Sequence, residues 1–283
     1  MTTEDLQRSA EVVTTANGDG RMVWHLWGAG PPLVLLHGGS GSWTHWIRNI
    51  EGLSRHFRLL VADMPGLGES DDPPEPFNTR DFPASVDRLA SGILSGIDEI
   101  LGVGTAFHLA GFSFGSINGA YLAASAGARV RTFTLVGSAA FGWPWDGLSG
   151  TFKSMTDDMD DAQCLDVQRH NLSLTMLAGP VDDAVSRLQL ENVRRARVRS
   201  HGVAATDTLV RALPRVVAPI NGIWGRADVF AQPNLDRIGD LLRDCDPDAI
   251  YEIIDHAGHW VMYEQPDTFN ACLIHIIEQR SPK

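Results

Sequence analysis

The stretch that decides the reading of this chain is His108-Leu109-Ala110-Gly111-Phe112-Ser113-Phe114-Gly115-Ser116-Ile117-Asn118-Gly119-Ala120-Tyr121-Leu122-Ala123-Ala124. An apolar run, Phe107–Ala110, reads as a buried strand. Gly115–Ala126 reads as a helix unusually rich in small residues, with Gly127 beyond it as a stop signal. Between them Gly111-Phe112-Ser113-Phe114-Gly115 must turn sharply. A serine on such a turn is held in a strained backbone conformation that lifts its hydroxyl above the sheet. The flanking glycines remove side chains that would collide where strand and helix approach. Gly119, Ala120, Ala123 and Ala124 extend the small surface, so the helix can close on the sheet. Strand, turn and helix in this order are the setting of a nucleophile elbow.

Outward from the elbow, short apolar runs alternate with helical patterns. Met22–Trp27, Leu33–Leu36, Leu59–Ala62, Val130–Leu135, Pro219–Trp224 and Ile250–Ile254 read as further strands. Val86–Leu101 has helical spacing in Leu89, Ile93, Ile97 and Leu101, and Thr268–Ile277 closes the chain as a helix. Alternation of this kind predicts an α/β fold, a mostly parallel sheet with helices on both faces. Asp72-Pro73-Pro74-Glu75-Pro76 is a loop, because consecutive prolines stop helix and strand alike. The alternation breaks between about Ala139 and Leu213. That region has helical patches such as Leu188–Val198 and large apolar residues: Phe141, Trp143, Trp145, Met155, Met159, Leu172, Leu174 and Met176. The expected organisation is a core domain of residues 1–138 and 214–283, with residues 139–213 inserted as a helical lid.

Three further segments carry chemistry. Leu33–Leu36 runs into His37-Gly38-Gly39-Ser40-Gly41, a glycine-rich loop able to aim backbone N–H groups at one point. With the N–H of Phe114 it makes an expected oxyanion hole, Gly39 and Phe114 being the donors. The glycines do not form GxGxxG and no P-loop lysine follows, so nucleotide binding is disfavoured. Asp228 follows the strand that ends at Trp224, and His259 follows the next apolar run. Ser113, Asp228 and His259 stand in the chain order Ser…Asp…His that an elbow of this kind requires. The expected roles are nucleophile, histidine-orienting acid and general base. His256 is the alternative base.

Composition narrows the field. The chain has 283 residues, 43% of them hydrophobic, enough for a sizeable core. A formal net charge of −12 lacks the basic footprint that tracks phosphates, so nucleic acid is not an expected partner. Cys164, Cys245 and Cys272 form neither a disulfide framework nor a metal pattern. Scattered histidines and no HExxH argue for neither metal nor organic cofactor. The N-terminus lacks an apolar signal region and no run approaches bilayer length, so a cytoplasmic protein without membrane contact is expected. Asn171-Leu172-Ser173 fits a glycosylation sequon but has no meaning without secretion.

Together the four segments resemble the α/β-hydrolase superfamily over nearly the whole chain. Asp63-Met64-Pro65-Gly66-Leu67-Gly68-Glu69-Ser70 looks like its D-x-x-G-x-G-x-S loop, a structural marker. Serine at the elbow separates the chain from the related epoxide hydrolases and haloalkane dehalogenases, which use a carboxylate. Within the superfamily it is similar to the hydrolases of meta-cleavage products, which cleave a C–C bond beside a ketone. The similarity lies in Gly258-His259-Trp260 with Glu264 and Phe269-Asn270, in HGGSGSWTHWIRNI, and in Arg194. The resemblance implies that Gly38, Arg194 and Trp260 touch substrate, with Arg194 meeting a carboxylate and Arg195 or Arg197 as substitutes. The helical phase agrees, since Arg194 lies in line with Leu190 and Val198. Two departures stand out: Phe112 and His45 occupy positions where that family has asparagines. They leave a carboxylic ester hydrolase open beside the C–C hydrolase. The HGG-x-G loop is similar to that of proline iminopeptidases, but their D-Q-R-G segment is replaced by DMPG. A small-molecule receptor of the same fold, or a cofactor-free oxygenase, is the alternative of a different class. A homodimer is expected by analogy alone.

Overall fold

A computed structural model describes residues 3–144, 150–200 and 202–281; Trp145 lies outside the described residues. Strands β1 (Glu11–Asn17), β2 (Gly20–Trp27), β3 (Pro32–Leu36), β4 (Arg58–Asp63), β5 (Phe107–Phe112), β6 (Val130–Val136), β7 (Ile220–Gly225) and β8 (Tyr251–Ile254) form one sheet. Its order is β1-β2-β4-β3-β5-β6-β7-β8. The β1–β2 and β2–β4 pairs are antiparallel, and the pairs from β4 through β8 are parallel. The helices are α1 (Thr3–Ser9), α2 (Ile50–Leu53), α3 (Phe82–Leu101), α4 (Phe114–Ala126), α5 (Asp161–Thr175), α6 (Asp183–Arg195), α7 (Thr208–Ala212), α8 (Leu235–Cys245), α9 (Val261–Glu264) and α10 (Pro266–Arg280). Among the described residues no helix is long and apolar enough to cross a membrane.

The period of two along each strand divides the core. Val34, Leu36, Leu60 and Leu109 face Val86, Ile93 and Ile97 of α3 and Ile238 and Leu242 of α8. Leu33, Leu35, Leu59, Val61 and Ala110 face the other way, onto Phe269, Leu273 and Ile276 of α10. Both clusters are closed to solvent, as a parallel sheet covered on two faces requires. The sequence reading missed β1. This edge strand keeps Val12 half exposed and carries polar residues, so it has none of the apolar run that marked the others.

Between β6 and β7 the described residues form no strand. Helices α5 and α6 make an antiparallel hairpin. Asp160 caps α5 by a reciprocal bond with Gln163, and Asp182 caps α6 by accepting from Val185 N–H. Arg169–Asp183 and Arg194–Asp161, each 2.6 Å, tie the hairpin at its two ends. Helix α6 starts earlier than the patch at 188–198 and stops at Arg195, because Arg197 N–H bonds to Gly66 O of the Asp63–Ser70 loop. Asn171 is buried in α5, its side chain accepting from Lys153 N–H and donating to Lys153 O.

Candidate active site

Ser113 sits between β5 and α4 at φ 51° and ψ −113°, a conformation costly for a residue with a side chain. The glycines beside it have no room for anything larger. A Cβ on Gly111 would lie 2.3 Å from Gly115 O, and one on Gly115 2.4 Å from Leu36 O. Ser113 N–H donates to Val136 O, pinning the turn to β6.

The loop after β7 carries Asp228 and the loop after β8 carries His259, both at the carboxyl ends of parallel strands beside the elbow. Asp228 is fully buried. One carboxylate oxygen accepts from Phe230 N–H at 2.9 Å, and the other lies 2.9 Å from His259 Nδ1. His259 Nε2 lies 3.0 Å from Ser113 Oγ. The His259 ring is held edge-on by Phe230, centroids 4.6 Å apart, and packs on Phe112 at 5.0 Å. His256, the alternative base, is exposed.

The glycine-rich loop is braced by two histidines. His37 Nε2 accepts from Met64 N–H, so its Nδ1–H donates to Gly38 O. His45 Nδ1 accepts from Gly38 N–H at 3.1 Å, so its Nε2–H donates to Gln189 Oε1 of α6 at 3.0 Å. Burial, the neighbouring His37 and His259 push the His45 pKa down to about 3. Burial also lowers that of His37. Both rings are therefore neutral and their tautomers are fixed. Gln189 returns a bond from Nε2 to Ser40 O, while Asn192 Oδ1 accepts from Ser42 Oγ and Thr44 Oγ1. The Asp63 carboxylate accepts from Trp43 N–H and Glu69 N–H, joining the Asp63–Ser70 loop to the same segment.

The expected oxyanion donors, Gly39 and Phe114, line one cavity together with Ser113 and His259. Neither N–H is taken by a hydrogen bond among the described residues. The cavity measures about 420 Å³, and described residues between β6 and β7 supply most of its wall. An apolar chamber of about 260 Å³ adjoins it, sharing Phe152, Thr175, Ala204 and Phe230 and reaching Phe141 and Trp143. Among the described residues no three His, Cys, Asp or Glu side chains gather as metal ligands.

Three expectations for substrate contact are corrected. Gly38 is absent from the cavity wall, and its N–H is consumed by His45. Trp260 is fully buried behind the site, donating Nε1–H to His45 O at 2.9 Å and packing on Tyr263. Arg194 is exposed and paired with Asp161. The expected alignment with Leu190 holds, but Leu190 packs on Cys164 and Leu165 of α5; the cavity-facing residues of α6 are Gln189 and Val193. Arg195 and Arg197 also turn outward, to Glu69 and Asp72. The polar face of α6 at Gln189 and Asn192 went unread. Its signal was two amides three residues apart on a face that also buries Val185.

Phe112 and His45, the two departures from the asparagine pattern, pack edge-on with centroids 5.5 Å apart. Phe112 is fully buried against Gly38, and neither ring lines the cavity.

Comparison with known proteins agrees with this architecture. Residues 31–167 match the family of the α/β hydrolase fold. The 2-hydroxy-6-oxononadienedioate/2-hydroxy-6-oxononatrienedioate hydrolase of Paraburkholderia phymatum is 28% identical over 269 residues, covering 87% of each chain. The 2-hydroxy-6-oxo-6-phenylhexa-2,4-dienoate hydrolase of Burkholderia cepacia is 26% identical over 86% of each. A putative aryl esterase from Burkholderia cenocepacia superposes with a TM-score of 0.72 at 23% identity, over 95% of this chain and 99% of that one. Fold, sheet order and these likenesses lead to one assignment: the chain has the α/β-hydrolase fold and is similar to the meta-cleavage-product hydrolases.

Proposed function

We propose that the chain hydrolyses a small carbonyl substrate through a covalent acyl intermediate on Ser113. The observation that carries this is the relay Asp228–His259–Ser113, at 2.9 and 3.0 Å, on the wall of a cavity that also presents Gly39 and Phe114. Ser113 Oγ attacks the carbonyl carbon as His259 Nε2 takes its proton, and Asp228 steadies the resulting imidazolium. The N–H groups of Gly39 and Phe114 hold the oxyanion. As the tetrahedral adduct collapses, His259 returns the proton to the departing group. Water, deprotonated by the same histidine, then releases the acid and restores Ser113 Oγ–H. The inserted residues 139–213 act as the lid that walls off this chemistry.

The bond broken is a C–C bond beside a ketone, as the resemblance to the meta-cleavage-product hydrolases implies, or a carboxylic ester. The relatives support the first. The replacement of two asparagines by the buried Phe112–His45 pair, with Arg194 outside the cavity, supports an ester or another substrate without the dienol acid's polar groups. Steady-state hydrolysis of p-nitrophenyl acetate and butyrate beside a dienoate ring-fission product distinguishes them. A fluorophosphonate should label the wild type and not Ser113→Ala. Labelling that survives the substitution would refute Ser113 as nucleophile. A stoichiometric burst without turnover would favour the receptor reading.

A further inference from the structure

We propose that Gln168 reads the far end of the substrate, selecting a neutral hydrogen-bonding group such as a hydroxyl, ketone or amide over both a plain hydrocarbon and a carboxylate. The inference rests on the hydrolase reading above and specifies its substrate class. Gln168, Asn171, Leu172 and Thr175 line the cavity from α5, at the spacing of a single helix face. The C-terminal end of that face lies at the catalytic histidine, since Trp260 N–H donates to Met176 O at 2.8 Å. Gln168 stands two turns back, about 10 Å along the helix from Thr175. It therefore meets the substrate well away from the carbonyl at Ser113.

Most buried polar side chains in the cavity wall are already committed. Asn171 is spent on the Lys153 backbone, Thr175 Oγ on Asn171 O, and Gln189 on His45 and Ser40. Ser113 and His259 hold each other. Gln168 is 5% exposed, and among the described residues its amide has no hydrogen-bond partner, yet its polar atoms are not sealed from solvent-accessible space. A buried amide left open to a cavity is costly unless a ligand completes it. Ser200 is the other such group, and it sits against Gly39, where a Cβ would lie 2.4 Å from Ser200 Oγ. The near end thus carries a hydroxyl and the far end an amide that donates and accepts. Among the described residues no lysine or arginine side chain is buried in the wall; Lys153 lines the cavity but is exposed. A carboxylate placed at Gln168 would be buried without a counter-charge.

The test compares kcat/KM for p-nitrophenyl octanoate, its terminal-hydroxy analogue and its terminal-carboxylate analogue, in the wild type, Gln168→Leu and Gln168→Met. The wild type should favour the hydroxy ester over the plain ester by about three- to tenfold, the size of one net neutral hydrogen bond. That ratio should fall to about one or below in both variants, and a ratio cancels any general loss of folded protein. An unchanged ratio in both variants, or no preference in the wild type, overturns the role of Gln168. Preference for the carboxylate ester overturns the neutral class and points to Lys153. If no ester is turned over and no fluorophosphonate is bound, the hydrolase reading fails and the proposal falls with it.

Discussion

Acidification from pH 7 to pH 5 should loosen this protein through His45, and the size of the effect follows from its surroundings. His45 is fully buried, accepting from Gly38 and donating to Gln189, an arrangement that only the neutral ring can make. Its pKa is about 3 in the folded chain against 6.5 for the free side chain. Between those values the unfolded chain binds a proton that the folded chain refuses. Stability is therefore complete above pH 6.5 and falls as pH drops toward 3. At pH 5 the cost from His45 alone is about 2 kcal/mol. His108, lowered to about 4, adds a similar loss. The assay is urea unfolding at pH 7 and pH 5 at constant ionic strength, on the wild type and on His45→Gln. Carboxylates and the remaining histidines titrate in both proteins and cancel in the comparison. The wild type should lose about 2 kcal/mol more than the variant over this interval. Equal losses would show that His45 is not the buried neutral ring described here, and the tautomer assignment at the glycine-rich loop would fall with it.

Asp228→Asn should lower kcat by roughly 10⁴ with little change in fold, because the histidine loses its tautomer and the support for its charge; steady-state kinetics beside circular dichroism checks this. Arg194→Gln should leave kcat/KM within about twofold on both anionic and neutral esters, and stability within about 1 kcal/mol, as for an exposed ion pair. A selective loss on anionic esters would restore Arg194 to the site. Gly115→Ala should destabilise by about 1–3 kcal/mol, since its methyl group would press on the carbonyl oxygens of Leu36 and His37, and thermal melts would read the loss. Extensive EDTA treatment should leave ester hydrolysis unchanged, and a loss restored by one divalent metal would contradict the proposed mechanism.

Much of the molecule was legible along the chain because its signals are local. Strands β3 and β4 carry continuous apolar runs, since both faces of the sheet are buried, and the elbow announces itself through glycines whose place a larger residue takes only by displacing backbone. Chain order then joined Asp228 and His259 to Ser113, and the three side chains do meet. Strand β1 was not legible, because an edge strand needs no apolar run. The wall of the cavity was not legible either, and Arg194 shows why. Helical phase places a side chain relative to its own helix and says nothing of what the helix faces. In α6 the stripe through Leu190 turns to α5, so Arg194 closes the hairpin on Asp161, while Gln189 and Val193 reach the cavity. Trp260 follows the same rule: its sequence places it beside His259, but the next residue along a loop points elsewhere, here into the core below His45. The sequence by itself determined the fold, the elbow and the order of the three chemical groups, because each is fixed by backbone sterics and burial period. Only the tertiary structure decided which polar groups are spent and which stay open, because that depends on partners brought from distant parts of the chain.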